Sequence, residues 1–291
     1  MHDNDVITTV DQVRRLVAAQ LPQWADLPVT PVAEFGTDHL LWRLGDNLVA
    51  RMPRIEWAVD QADSDARWLP LLASHLPLGV PVTVAVGEPG EGYPWRWSVV
   101  RWLPGEALTP DNADAEVVAT QLAGFVRALA AIDPGDGPLK TGTARGVPLA
   151  NLEGWVDEWL PRLEGFDRSA VRAAWQDCLD APAYDGPPRW IHGDLLRGNL
   201  LVRGGRLSAV IDWGAIGLGD PATDLHTAYT LFEPPARALF RELSGYDDDA
   251  WRRARGWALS PSISAATYYA ETVPAFAEGG RRRIEAVLAE F

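Results

Sequence analysis

Residues 190–214 read WIHGDLLRGNLLVRGGRLSAVIDWG, and the glycine pair in this stretch constrains the fold more than any other feature of the chain. Gly204 and Gly205 separate two short apolar runs, the arrangement of a two-residue β-hairpin turn. With the turn there, Arg203 faces Arg206, Leu201 faces Ser208 and Asn199 faces Val210. Side chains alternate along a strand. Leu200, Val202, Leu207, Ala209 and Ile211 therefore share one wholly apolar face, which must be buried. The other face carries Asn199, Leu201, Ser208, Val210 and Asp212. Asn199 and Asp212 become diagonal cross-strand neighbours within about 7–8 Å. A carbonyl and a carboxylate oxygen so placed suit a hard cation such as Mg²⁺.

The loop before the hairpin adds a second carboxylate, Asp194, just after the apolar WIH. The spacing H-G-D-x-x-x-x-N is that of phosphoryl-transfer loops, in which the Asp handles the substrate hydroxyl proton and the Asn holds a metal ion. Gly193 stands where protein kinases have Arg, and Trp213-Gly214 follow Asp212 where they have Phe-Gly. Each of these residues alone reads as a turn or cap. Spacing and a shared face make them one site, with Asp194 as the catalytic residue and Asn199 and Asp212 as the metal ligands.

The chain around this stretch divides in two. Residues 9–21 have the apolar spacing of a helix, with Thr9 and Gln12 at capping-box positions. Strands are predicted near 30–35, 39–44 and 47–52, a helix over 57–69 that Pro70 should end, and further strands at 80–86 and 96–102. Residues 103–114 read as a linker, and helices follow over 115–132, 151–180 and most of 221–291. Two lobes with a cleft between them are expected, divided as 1–103 and 104–291.

Composition removes several classes of function. A chain of 291 residues, 47% of them hydrophobic, can bury a core without disulfides. Cys178 is the only cysteine, which excludes an intrachain disulfide and a Cys-based zinc site. The acidic start MHDNDVITTV lacks the apolar core of a signal peptide, and no apolar run is long enough to span a bilayer. A cytoplasmic protein with no membrane partner is expected. The net charge is −14 and no basic stripe stands out, which argues against nucleic acid. Such acidity suits a cationic small substrate or simply a soluble surface.

WIHGDLLRGNLL, AVIDWG and GDPATDL resemble the signature of the aminoglycoside phosphotransferase (APH) family, small-molecule kinases related in fold to protein kinases and choline kinases. FGTDHLLWRLGDNLVARMPR and YPWRWSVVRWLPGEAL resemble the family's N-lobe and hinge. The resemblance implies an α+β, two-lobed protein-kinase-like fold, with a small β-rich N-lobe and a larger, mostly helical C-lobe. It implies transfer of the γ-phosphoryl of ATP or GTP, with Mg²⁺, to a hydroxyl of a small molecule. Similar proteins act on aminoglycosides, macrolides, other antibiotics, sugars and amino alcohols, and drug resistance would be one phenotype of such an activity. The alternative is a nucleotide-binding pseudokinase that regulates a partner. Oligomeric state is left open.

The resemblance also assigns roles. The family holds the α/β-phosphates with a strand lysine, yet this chain has one lysine, Lys140, and none before it. Arg51 occupies the matching position, and arginine supplies charge and a bidentate fork, though in a different geometry. Its partner is expected on the next helix, where Ala58, Ala62, Asp65 and Leu69 form one stripe that Asp65 interrupts. Gly36 and Thr37 in FGTDH would lie over the phosphates, and the hinge backbone near Arg101 and Leu103 would read the purine. Asp224 would brace the catalytic loop, His192 orient it, and Asp220 with Pro221 start a helix. Trp155, Trp159 and Trp213 are candidates to line an acceptor pocket. The acidic YDDDAW (246–251) is either a wall for a polyamine or the start of a helix.

Overall fold

A computed structural model of the protein describes residues 5–32 and 38–291. They form two compact units: one takes the chain up to Gly105 together with Ala209–Gly214, the other Glu106–Ser208 and Ala215–Phe291.

The first unit opens with helix α1 (Val10–Gln20), capped by Thr9, whose hydroxyl accepts the Gln12 N–H at 3.2 Å. Strands β1 (Val29–Pro31), β2 (His39–Leu44) and β3 (Leu48–Pro53) follow, then α2 (Gln61–Ala73), β4 (Thr83–Gly87) and β5 (Trp97–Arg101). The strands pair antiparallel in the order β1-β2-β3-β5-β4. Arg51 thus sits in the central strand, opposite Leu41 on one side and Ser98 on the other. Leu16 and Val17 of α1 pack with Leu44, Met52, Tyr93 and Trp97 in the core.

Gly87 is a position where only glycine fits. A Cβ there would fall 2.1 Å from the Trp97 indole, which is fully buried. The helix predicted to stop before Pro70 runs on to Ala73 instead. Pro70 removes a helix N–H, a local cost. Burial of Trp68, Leu69 and Leu72 on the core face carries the helix past it.

The second unit begins with the short strand β6 (Glu106–Ala107) and α3 (Ala115–Ala131). Asp114 caps α3 by accepting the Glu116 and Val117 N–H groups, both at 3.0 Å. The single helix expected over 151–180 is two, α4 (Glu153–Trp159) and α5 (Arg168–Asp180). Pro161 and Gly165, the latter at φ +80°, break it, and Asp167 recaps it on the Ser169 N–H at 2.8 Å.

Strand β7 (Arg189–Ile191) leads into the catalytic-looking loop, then come β8 (Leu200–Arg203), β9 (Arg206–Val210) and β10 (Gly217–Gly219). β7 pairs with β10, and β8 lies between β6 and β9. Gly204 and Gly205 form the β8–β9 turn at φ +61° and +75°. A type I′ turn needs that left-handed pair. Ser208 Oγ donates to the Leu201 carbonyl at 3.2 Å across the hairpin. Leu200, Val202, Leu207 and Ala209 are buried.

Helices α6 (Ala222–Leu225), α7 (Ala228–Leu231), α8 (Pro234–Ser244), α9 (Asp248–Tyr268) and α10 (Pro274–Leu288) complete the chain. The acidic run is the start of α9. Asp247 caps it on the Ala250 N–H at 2.8 Å, and Asp248 pairs with Arg241 at 2.7 Å. Among the described residues, no helix is long and apolar enough to cross a membrane.

The buried indole against Gly87 gives a direct test of the first unit's packing. Gly87→Ala should cost about 1–3 kcal/mol by overpacking, read as a lower midpoint in chemical unfolding with an unchanged slope.

Candidate active site

The loop between β7 and β8 turns on a buried carboxylate. Asp224 of α6 accepts the backbone N–H groups of His192 at 2.8 Å and Gly193 at 2.7 Å, one on each oxygen. Burial raises the Asp224 pKa, opposed by His192 and by those two N–H groups. Gly193 takes φ +80°, and a Cβ there would press on Ala215 at 3.1 Å. That conformation explains why glycine stands where protein kinases carry Arg. His192 is fully buried, and its Nδ1 accepts the Asp194 N–H at 3.2 Å.

Asn199 ends a short 3₁₀ turn, Arg197–Asn199, and folds back on Asp194. Its Nδ2 donates to the Asp194 carbonyl at 2.8 Å and to Oδ2 at 3.1 Å. Among the described residues no hydrogen bond reaches its Oδ1, so that oxygen keeps its lone pairs. The other Asp194 oxygen pairs with Arg145, which also donates to the Gly193 carbonyl at 2.6 Å. Burial alone would raise the Asp194 pKa, but the Arg145 charge and hydrogen bond, with His192 and His226, hold it below the usual carboxylate value.

In the first unit, Arg51 of β3 forms a buried ion pair with Asp65 of α2. Asp65 is 1% exposed. Burial raises its pKa, Arg51 opposes that, and the nearby charge of Asp212 adds to it. Burial, then Arg51, push the His39 pKa well below that of a free imidazole, so His39 is neutral. Asp212 is solvent-exposed at φ +61°, one of two non-glycine residues with positive φ among those described. Positive φ is rare outside glycine and gathers at functional sites.

The strand-based reasoning that placed Asn199 and Asp212 is corrected in detail. Neither lies in a strand: Asn199 precedes β8 in the 3₁₀ turn, and Asp212 follows β9 in the left-handed region. Strong local turns end the ladder at both points, so alternation does not extend to them. Asp212 belongs with the first unit, whereas Asp194 and Asn199 belong with the second.

The remaining sequence candidates are placed as follows. Gly36 and Thr37 lie outside the described residues. Arg101 ends β5 with its N–H on the Val82 carbonyl at 3.3 Å, and Trp102 donates to the Asn47 carbonyl at 2.8 Å. Leu103 follows the strand end. Asp220 accepts the Ala222 N–H at 3.0 Å, as a helix start should, but it also pairs with the buried Arg253 at 2.7 Å. Trp213 is fully buried, its Nε1 donating to the Val210 carbonyl at 2.9 Å.

Sequence reasoning missed a cavity in the second unit. Arg145, Gly193, Leu196, Thr223, His226, Trp257, Pro261, Phe276 and Arg283 line it. His226, which carries no metal-ligand spacing, sits in its wall with Nδ1 2.5 Å from the Thr223 carbonyl. The lining residues come from segments 138 positions apart at the extremes, Arg145 and Arg283. The one local hint was Arg145 inside ARGVP, just before a helix.

Comparisons with known proteins bear on the family and the fold. The sequence matches APH, the phosphotransferase enzyme family, over residues 29–257. No curated protein sequence matches the chain significantly. Among solved structures, the GDP and kanamycin complex of APH(2")-IIia superposes with a TM-score of 0.73 at 19% identity, covering 96% of this chain and 98% of that one. The macrolide 2'-phosphotransferase MphH from Brachybacterium faecium, as apoenzyme, gives 0.66 at 21% identity over 94% and 97%. The streptomycin–ATP–APH(2")-IIa ternary complex gives 0.59 at 15% identity over 89% and 91%. At these identities the likeness carries the fold, a kinase-like one with an N-terminal antiparallel sheet before a mostly helical region.

Two measurements probe the loop. Asp224→Ala orphans two buried N–H groups and should cost about 2–6 kcal/mol in unfolding experiments, at about 1–3 kcal/mol per unsatisfied group. Burial, first, and Arg145, second, bring the His226 pKa down to about 4. Its folded pKa is depressed, so the unfolded chain binds the extra proton as pH falls from about 6.5. Stability should fall across that window toward pH 4, and His226→Gln should flatten the slope relative to wild type.

Proposed function

The chain belongs to the phosphotransferase enzyme family, and on that premise we propose that it moves the γ-phosphoryl of ATP or GTP to a hydroxyl of a small molecule. The loop 192–199 carries this reading. An ionised Asp194 is held by Asn199 and by the His192 ring, and its neighbours Gly193 and Leu196 line a cavity. The acceptor oxygen bonds to the γ-phosphorus, the bond from that phosphorus to the β–γ bridging oxygen breaks, and the hydroxyl proton passes to Asp194. The nucleoside diphosphate leaves. Catalysis of this kind rests on positioning and charge stabilisation.

Arg51, fixed by Asp65, is proposed to hold the α/β-phosphates, with the hinge backbone at Arg101 and Leu103 against the purine. A buried pair suits this task because Asp65 fixes the fork while one edge of Arg51 remains to bind phosphate. Residues 1–103 would do the nucleotide work and 104–291 the acceptor work, with Asp212 supplied to the nucleotide unit by the segment 209–214. Asn199 and Asp212 are each proposed to offer an oxygen to Mg²⁺, which takes hard oxygen donors; among the described residues the Asn199 carbonyl oxygen accepts no hydrogen bond. Among the described residues no group of three or more His, Cys, Asp or Glu could hold a metal. A site completed by phosphate and water oxygens is the usual arrangement for Mg²⁺. When bound, Mg²⁺ would neutralise charge on the phosphate oxygens.

Nucleotide consumption across a panel of hydroxylated small molecules tests the reading. Asp194→Asn should lower acceptor-dependent turnover about 10²–10⁴-fold while nucleotide still binds. Arg51→Ala should weaken nucleotide binding and turnover, and unchanged values would remove Arg51 from the site. Tight nucleotide binding with no acceptor turned over would favour a regulatory pseudokinase instead.

A further inference from the structure

Three arginines among the described residues are at most 9% exposed: Arg51, Arg253 and Arg283. The first two have carboxylate partners, Asp65 and Asp220. Arg283, on α10, does not. Its Nε donates to Ser262 Oγ at 2.7 Å, and among the described residues this is its only hydrogen bond. A guanidinium has five N–H donors, and burying one without a counter-ion is costly. Burial, first, and the Arg145 charge bring the Arg283 pKa down to about 10, opposed by the negative charge of Asp194, which is already paired with Arg145. The side chain lines the same cavity as Arg145 and Gly193, the residue before Asp194.

The balance of charge there is positive. Arg145 and Arg283 both line the cavity, and no acidic side chain does. Asp194, at its edge, is already paired with Arg145. His226 is neutral near pH 7, with its pKa down to about 4. The acidic residues 247–249 are engaged at the start of α9. The other side of the cavity is apolar, with Leu196, Trp257, Pro261 and Phe276. Phe276 ends a chain of ring contacts through Tyr269, Tyr268 and Trp159 to Trp155.

We propose that the acceptor carries an acidic group, a carboxylate or a phosphate, that binds Arg283 and Arg145 in this cavity while its apolar body rests on Trp257 and Phe276. The acid takes the place of Asp194 as the partner of Arg145, which frees the Asp194 oxygen for the acceptor hydroxyl. A polycation meets two like charges here and is disfavoured. The inference rests on Asp194 as the catalytic residue and adds the chemical class of what it acts on.

A probe series with one shared body tests it: 4-(hydroxymethyl)benzoate, 4-(hydroxymethyl)phenyl phosphate, the neutral 4-(hydroxymethyl)benzamide and the cationic 4-(hydroxymethyl)benzylamine. Calorimetry should show at least one anionic probe binding about tenfold or more tighter than the amide, the scale of a charge-assisted bond, with the amine weakest. The carboxylate and phosphate arms identify the acid. Arg283→Gln should erase that preference, raising KM for the anionic probe with kcat within about twofold, and Arg283→Lys should restore part of it. Thermal unfolding confirms that both variants fold, and Arg283→Lys carries the test if Arg283→Gln does not. An amide or amine that binds as tightly as the tighter-binding acid, or a preference that survives undiminished in Arg283→Gln, overturns the proposal. Turnover that persists in Asp194→Asn sinks the catalytic reading instead, and the binding preference is read independently of it.

Discussion

The carboxylate of Asp224 is the point on which the second unit's chemistry depends. Its two oxygens take the N–H groups of consecutive residues, His192 and Gly193. Two such bonds fix the peptide between them and set the chain direction into Asp194. A buried peptide N–H left unpaired costs about 1–3 kcal/mol, so the loop has one favoured path. Gly193 can follow it because its φ of +80° places no Cβ against Ala215. His192 then receives the Asp194 N–H, and Asn199 closes the turn on the Asp194 carbonyl. The position of the Asp194 carboxylate is thus inherited from a side chain thirty residues further along the chain, as 224 minus 194 gives 30.

The first unit solves a different problem. A cation must stand in the middle of a sheet, where desolvation is severe. Arg51 is flanked by strands on both sides and needs a fixed anion nearby. Asp65 supplies it from α2, and the stripe formed by Ala58, Ala62 and Leu69 is buried with it. Such a pair contributes little net stability, because the Coulomb gain roughly offsets the desolvation. Removing one partner is a different matter, since it strands a buried charge at about 3–5 kcal/mol. The pair is therefore better understood as an orientation device than as a source of stability. The shorter Asp and longer Arg span the gap between strand and helix.

Much of this was legible in the sequence, and the reasons are local. The glycine pair at 204–205 fixed the hairpin because only a left-handed pair makes that turn. Asp65 was legible because a carboxylate on an apolar stripe demands a partner. Thr9 and the helix starts could be read because capping is a matter of three or four residues. What could not be read depends on long-range packing. The helix crossed Pro70 because burial further along outweighed a local cost. The 151–180 segment broke at Pro161 and Gly165, whose turn signals were masked in the sequence by the apolar spacing on both sides. The left-handed backbone at Asp212 left no trace, since Asp adopts that conformation only where the surroundings impose it. Arg145 and Arg283 meet in one cavity only after α9 and α10 have packed.

This separation explains how an acidic chain holds a cationic pocket. A net charge of −14 describes the surface as a whole and falls off over a Debye length of about 8–10 Å. A buried site answers to its immediate neighbours, where interactions are much less screened. Residues 247–249 illustrate the first regime: they cap a helix and pair with arginines near the surface, and none of them lines the cavity. Arg283 illustrates the second, because its one bond to Ser262 cannot balance a full charge. Reading substrate charge from composition would give the opposite sign from reading it at the cavity wall.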